Sequence, residues 1–201
     1  MALGVVIRTF ASPSANPRAV GWDGRNLVVI DGSFTYIYYI AAWQYALPNI
    51  ALGTDGQGCC VVGTSLFVTF GNSIRQYSLD SGQLIRSWTV TARGIAWDGA
   101  HFWVGDAAGT LFCLDPETFE TIRSFTVAST PRGIAWDGST LWVVQERSSG
   151  NSLVNQYDPA TEKLIRTFTG PETDLFGLVW DGYSLWACGS SGNRIYQMMA
   201  A

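Results

Sequence analysis

Residues 132–143 read RGIAWDGSTLWV, and residues 93–104 read RGIAWDGAHFWV. Looser copies start at Arg18 (RAVGWDGRNLVV), Gln57 (QGCCVVGTSLFV) and Phe176 (FGLVWDGYSLWA). With Trp136 as register mark and Trp22, Val61, Trp97 and Trp180 as its equivalents, the copies lie 39, 36, 39 and 44 residues apart. A fixed period of this size marks a repeat architecture. The stretch left over through the two chain ends is also about one period long, which predicts a closed ring of five units.

Each unit reads as four short strands. Strand a (GIAW) runs into a D-G turn, a strong hairpin signal between two β runs. Strand b reads LWVV or FWVG, and strand c reads IRQY, LFCL, VNQY or IYQM. A second turn follows, written D-P-x-T (Asp115–Thr118, Asp158–Thr161) or D-S-G (Asp80–Gly82). Proline presets φ at the second turn position, and Asp accepts hydrogen bonds within its own turn. Strand d is IRSF, IRTF or IRSW. Four-stranded units of about 40 residues arranged radially are β-propeller blades. The expectation is a single all-β domain, residues 1–201, folded as a five-bladed propeller. Its blades span about 17–50, 57–90, 93–127, 132–169, and 176–199 plus 3–10. Val5–Phe10 supplies the strand d missing after Ile195–Met198, a closure expected to remove open edge strands. Blade 1 is the least regular, with strand c at Ile37–Ile40 and strand d near Trp43–Leu47.

The repeats resemble those of the broad superfamily of YVTN-type, NHL-type and quinoprotein-like propellers, whose blades also carry D-P-x-T turns. The resemblance covers essentially the whole chain. It implies the fold and leaves the function open, because such families include enzymes, sugar binders and interaction scaffolds. The chain differs from WD repeats: its Trp-Asp pair ends strand a instead of closing strand c.

Bulk properties exclude several classes. The chain has 201 residues, 47% hydrophobic and 14% charged, with 22 glycines, a turn-rich packed composition. Twelve Lys and Arg scattered among sixteen acids, for a net charge of −4, argue against nucleic acid as a partner. No apolar run is long enough to span a membrane. MALGVVIRTF lacks the regions of a signal peptide, and its IRTF matches strand d, so it reads as part of the fold; the sequence leaves the compartment open, cytoplasmic or particle-associated. Cys59, Cys60, Cys113 and Cys188 contain no C-x-x-C pair and accompany one histidine, so no zinc site and no cofactor is expected. They read as small buried thiols; a vicinal Cys59–Cys60 disulfide is the alternative.

Alternate positions of strand a separate by size. Gly58, Gly94, Gly133, Gly177, Cys60, Ala96 and Ala135 belong to a small set; Ile95, Ile134, Leu178 and the register tryptophans belong to a large set. Side chains alternate faces along a strand. The small set is expected to face the propeller axis, leaving it without acid–base groups, and the large set to pack between blades. The a–b and c–d turns share one face of the disc and are stereotyped. The b–c loops and d–a crossings share the other, and they vary in length and sequence. Variable loops on a rigid scaffold are the usual place for binding.

On that face Arg18, Arg93 and Arg132 hold equivalent positions before strand a, with Gln57 and Phe176 completing the set. They suit a partial basic ring for carboxylate or phosphate. They equally suit bonds to crossing carbonyls or pairs with Asp106 or Glu146. Eight of nine tryptophans fall at repeat positions and read as packing. Trp43, near Tyr36, Tyr38, Tyr39 and Tyr45 in blade 1, breaks the pattern and marks a candidate interaction patch or a local repacking. The leading expectation is a non-enzymatic binding or assembly module with a protein or glycan partner, as part of an oligomer or larger particle. A cyclase- or lyase-like enzyme would use loop acids such as Asp31, Asp106 or Glu146 and would need at least two acids to converge in a pocket on the variable face. An engineered scaffold conflicts with the irregular first blade and the unequal spacings.

Overall fold

The computed structural model describes residues 2–13, 15–32, 34–39, 44–45, 50–54 and 56–200, and all its elements among these are strands. The chain opens with β1 (Val6–Ala11). Blade 1 is β2 (Pro17–Trp22), β3 (Leu27–Asp31) and β4 (Phe34–Tyr39) with two short pieces, β5 (Gln44–Tyr45) and β6 (Ile50–Ala51). Blade 2 is β7 (Gly58–Val62), β8 (Ser65–Thr69), β9 (Ile74–Ser78) and β10 (Leu84–Trp88). Blade 3 is β11 (Gly94–Trp97), β12 (Phe102–Gly105), β13 (Thr110–Leu114) and β14 (Thr121–Thr126). Blade 4 is β15 (Pro131–Trp136), β16 (Leu141–Gln145), β17 (Leu153–Asp158) and β18 (Lys163–Thr169). Blade 5 is β19 (Leu175–Trp180), β20 (Leu185–Gly189) and β21 (Arg194–Met198), completed by β1, which pairs antiparallel with β21. The protein is a five-bladed β-propeller with five antiparallel sheets in a ring.

The repeated sequence builds the repeated hairpin. In blade 4, Asp137 Oδ1 accepts from the backbone N–H groups of Ser139 at 2.9 Å and Thr140 at 2.7 Å. Gly138 takes a φ of 99°, a value that favours glycine. Asp137 Oδ2 accepts the indole N–H of Trp142 at 2.8 Å. Asp98 does the same for Trp103 and Asp181 for Trp186. One aspartate thus closes the turn and satisfies a tryptophan that is about 1% exposed. Strand c adds a glutamine: Gln76, Gln156 and Gln197 donate to Ser65, Thr140 and Ser184 at 2.9, 2.6 and 2.9 Å.

The core consists of wedges between neighbouring blades. Ala96, Trp103 and Leu111 of blade 3 meet Ile134, Leu141 and Val143 of blade 4. Cys60, Phe67 and Ile74 of blade 2 meet Ile95, Phe102 and Val104 of blade 3. This corrects the assignment of the small residues to the axis. Both faces of a blade look at a neighbouring blade, and only the edge of strand a looks at the axis. The small residues instead permit close approach. A Cβ at Gly133 would lie 2.2 Å from the Phe176 carbonyl oxygen, and one at Gly58 would lie 2.4 Å from that of Arg93.

Two further expectations change. Ring closure does not remove the edges, because β1, β10, β14 and β18 each end a sheet. Each is broken by a β-bulge at the same repeat position. Ile7, Ile85, Ile122 and Ile165 are the extra residues between paired neighbours, and their side chains are exposed. Bulges twist an edge away from pairing with another chain. In blade 1 two described pieces pair with β4: β5 with Tyr38 and Tyr39, and β6 with Phe34 and Thr35.

Candidate functional site

Five equivalent backbone irregularities create the site. In blade 1, Pro17 pairs with Asp31 and Ala19 with Ile30, leaving Arg18 as the extra residue of a bulge. Arg132 is extra in blade 4 in the same way, and the blade 5 shift falls at Phe176 and Gly177. In blades 2 and 3 the residue before strand a binds the carbonyl of the strand b residue that already pairs with the next residue. Gln57 N–H donates to the Thr69 oxygen at 2.8 Å, and Arg93 N–H to the Gly105 oxygen at 2.7 Å. Bulges re-aim side chains. Here they turn one side chain per blade toward the axis, and the residue that follows, glycine in four blades and Ala19 in blade 1, lets those backbones approach.

The result is a cavity of about 220 Å³ at the mouth of the axis on the variable face. Arg18, Gly56, Gln57, Arg93, Arg132 and Phe176 line it. The Arg132 and Arg18 guanidiniums lie 4.5 Å and 4.7 Å from the centre of the Phe176 ring. Phe176 stands between these two arginines in the ring, so the blade 5 aromatic fixes cations from both adjoining blades. Arg132 also makes a two-pronged pair with Glu146, Nη2 to Oε1 at 2.7 Å and Nε to Oε2 at 3.1 Å. Among the described residues no carboxylate pairs with Arg18 or Arg93. The Arg18 Nε is buried and has no hydrogen-bond partner among the described residues.

The other residues singled out in the sequence lie elsewhere. Asp106 does not reach the arginines: its Oδ1 accepts from the backbone N–H groups of Ala108 and Thr110 at 2.9 and 2.8 Å, shaping its own loop. Asp31 is 1% exposed and accepts from Ser12 Oγ and from the Asn16 N–H. Asp31, Asp106 and Glu146 therefore share no pocket. Tyr36 packs on the cluster of Val20, Val29 and Trp186 between blades 1 and 5. Trp43 and the side chains of Tyr38, Tyr39 and Tyr45 lie outside the described residues. Cys59, Cys60, Cys113 and Cys188 are buried free thiols. Burial pushes Cys59 and Cys60 well above the usual thiol range and Cys188 to about 12. Among the described residues no three His, Cys, Asp or Glu side chains stand together as a metal site.

Two features had no warning in the sequence. Glu172, in the single-copy crossing into blade 5, accepts from Ser191 Oγ at 3.0 Å, Gly192 N–H at 2.9 Å and Tyr196 Oη at 3.3 Å. It pins the b–c loop of that blade, and its carboxylate pushes the Tyr196 phenol, already raised by burial, to about 12. At the opposite mouth of the axis, half-buried Trp22, Trp97, Trp136 and Trp180 surround a cavity of about 120 Å³.

No protein-family model matches this chain, and no curated protein does. Solved structures share the fold. Myxococcus xanthus glutaminyl cyclase superposes with a TM-score of 0.76 at 16% identity, covering 96% of this chain and 94% of that one. The β-propeller domain of Myceliophteria thermophila Cps50 (Swd1) gives 0.63 at 13% identity, covering 98% and 99%. A chain of a mitotic checkpoint complex gives 0.54 at 17% identity, covering 92% and 64%. These likenesses extend to the ring and its blades.

Proposed function

We propose that this chain is a non-enzymatic binding module of the YVTN- and NHL-like kind that holds a protein partner on its variable face, as part of a larger assembly. One observation carries the reading. The only described side chains that converge at the axis on that face are three arginines, a glutamine and a phenylalanine, a set made for recognition. Among the described residues there, no nucleophile stands beside a base. The shared fold leaves this choice open, since its neighbours include a glutaminyl cyclase and a chain of a mitotic checkpoint complex, and function is argued from the site. A glycan is the weaker partner for this mouth. Sugars stack on open aromatic faces, and the Phe176 ring is engaged by two guanidiniums.

The test is site-specific photocrosslinking in extracts of the source cells. A photoreactive residue replaces exposed Ser149 on the variable face or exposed Ala100 in an a–b turn. Discrete protein adducts from position 149 and none from position 100 are expected. Adducts from position 100 alone, glycan adducts from position 149, or none from either overturn the reading.

A further inference from the structure

We infer that the axial arginine pocket is a carboxylate receptor, taking an acidic side chain or a chain-end carboxylate of a bound peptide segment between Arg18 and Arg93. This rests on the variable face being the binding face and names the chemistry it reads.

Charge comes first. Three guanidiniums converge on one cavity, and Glu146 compensates only Arg132. Like charges held together in a partly dehydrated mouth repel, and a bound anion relieves that repulsion. Donor inventory comes second. Arg18 Nε is a buried donor with no acceptor among the described residues, whereas buried polar groups are normally satisfied. Arg93 has no carboxylate partner among the described residues, and the Gln57 amide adds a neutral polar group to the wall.

Shape and donor type then choose among anions. Phosphate sites are commonly built from clustered backbone N–H groups. Here the backbone N–H groups of Gln57 and Arg93 are already bonded to strand b carbonyls. The charged donors that remain are planar guanidinium forks, which match a planar carboxylate. The Arg132–Glu146 pair displays that geometry at the rim of the same cavity. Phe176 is the one aromatic side chain of the lining, and its ring carries two of the guanidiniums. About 220 Å³ lies below the range of roughly 300–1,000 Å³ common for small-molecule pockets, so one side chain or one chain end fits. Stacking of Arg18 and Arg132 on Phe176 holds the cations in place before the ligand arrives, which lowers the cost of ordering them.

The experiment follows arginine Nε–H correlations by NMR in the intact chain. Titrants are an acetyl-Gly-Glu-Gly-amide peptide, an acetyl-Gly-Gly-Phe peptide with a free carboxylate, its amide-capped twin and inorganic phosphate. One or both carboxylate peptides are expected to shift the Arg18 resonance saturably, the two arms separating side chain from chain end. Arg18→Gln and Arg93→Gln should each weaken that binding about tenfold or more. Glutamine already occupies the equivalent position in blade 2, so these variants should keep the fold, checked by circular dichroism. Binding of phosphate without the peptides, equal binding of the amide-capped peptide, or no shift with any titrant overturns the inference. Crosslinks at position 149 that persist undiminished in both variants also overturn it while sparing the protein-binding reading. Carboxylate binding without any such crosslink does the reverse.

Discussion

The indole N–H of Trp142 donates to Asp137 Oδ2 at 2.8 Å across the a–b hairpin of blade 4. Oδ1 of the same carboxylate holds the turn. In blade 1 the corresponding Asp23 holds its turn through Arg25 N–H at 2.8 Å and Asn26 N–H at 2.6 Å, but Val28 stands where the tryptophan would be. Asp137→Ala therefore strands a buried indole donor as well as loosening a turn, and should cost about 3 kcal/mol. Asp23→Ala removes only turn bonds and should cost about 1 kcal/mol. Urea unfolding of the two variants measures the difference, and equal losses would show that the indole bond contributes nothing.

Two hairpin carboxylates, Asp137 and Asp98, should make the disc acid-sensitive. At Asp137, burial opposes the charge, but hydrogen bonds from Thr140, Ser139 and Trp142 outweigh it and hold the carboxyl below its usual range. At Asp98, burial is likewise outweighed by bonds from His101, Ala100 and Trp103. A folded pKa below the unfolded value means that the unfolded chain binds more protons in acid. The contribution is complete above the unfolded carboxylate pKa, about 4, and is lost as pH falls through the lower folded values. Stability measured against pH should be flat down to about pH 5 and decline below about pH 4. Asp137→Asn should show a shallower decline; an unchanged slope would exclude this residue as a source.

Gly133 packs against the next blade with no room for a methyl group. Its Cβ would meet the Phe176 carbonyl oxygen at 2.2 Å and the Leu178 nitrogen at 2.7 Å, backbone atoms that cannot swing aside. Gly133→Ala should cost about 3 kcal/mol and displace Phe176 from the arginine pocket. A cost near zero, measured by thermal unfolding, would mean that the wedge between blades 4 and 5 is not closely packed.

The repeat made much of this legible. The D-G and D-P turns placed the hairpins, and the IRTF copy at residues 7–10 identified the strand that completes blade 5. The equivalence of Arg18, Gln57, Arg93, Arg132 and Phe176 was also visible. Their convergence was not, because it depends on five bulges that no residue type announces. The size alternation in strand a was read correctly as two faces, but sequence does not say what each face meets. Trp103, Trp142 and Trp186 read as packing residues, and their bonds to the turn aspartates escaped notice. Glu172 sits in a single-copy loop, so no repeat could highlight it.

The pairing of β1 with β21 also sets a clock. Every other pairing within a blade joins strands close along the chain, while this one joins residues near opposite ends. Such a long-range contact is the slowest to form, because so much chain must be ordered before it is rewarded. Closure of blade 5 by β1, the latch of the ring, should therefore come after the hairpins within each blade. The latch is one exposed six-residue strand, so opening of the closed ring starts there. The lifetime of the disc, as distinct from its stability at equilibrium, should then depend on how long β1 stays in place and on the packing of Val20 and Val29 against Trp186 between blades 1 and 5.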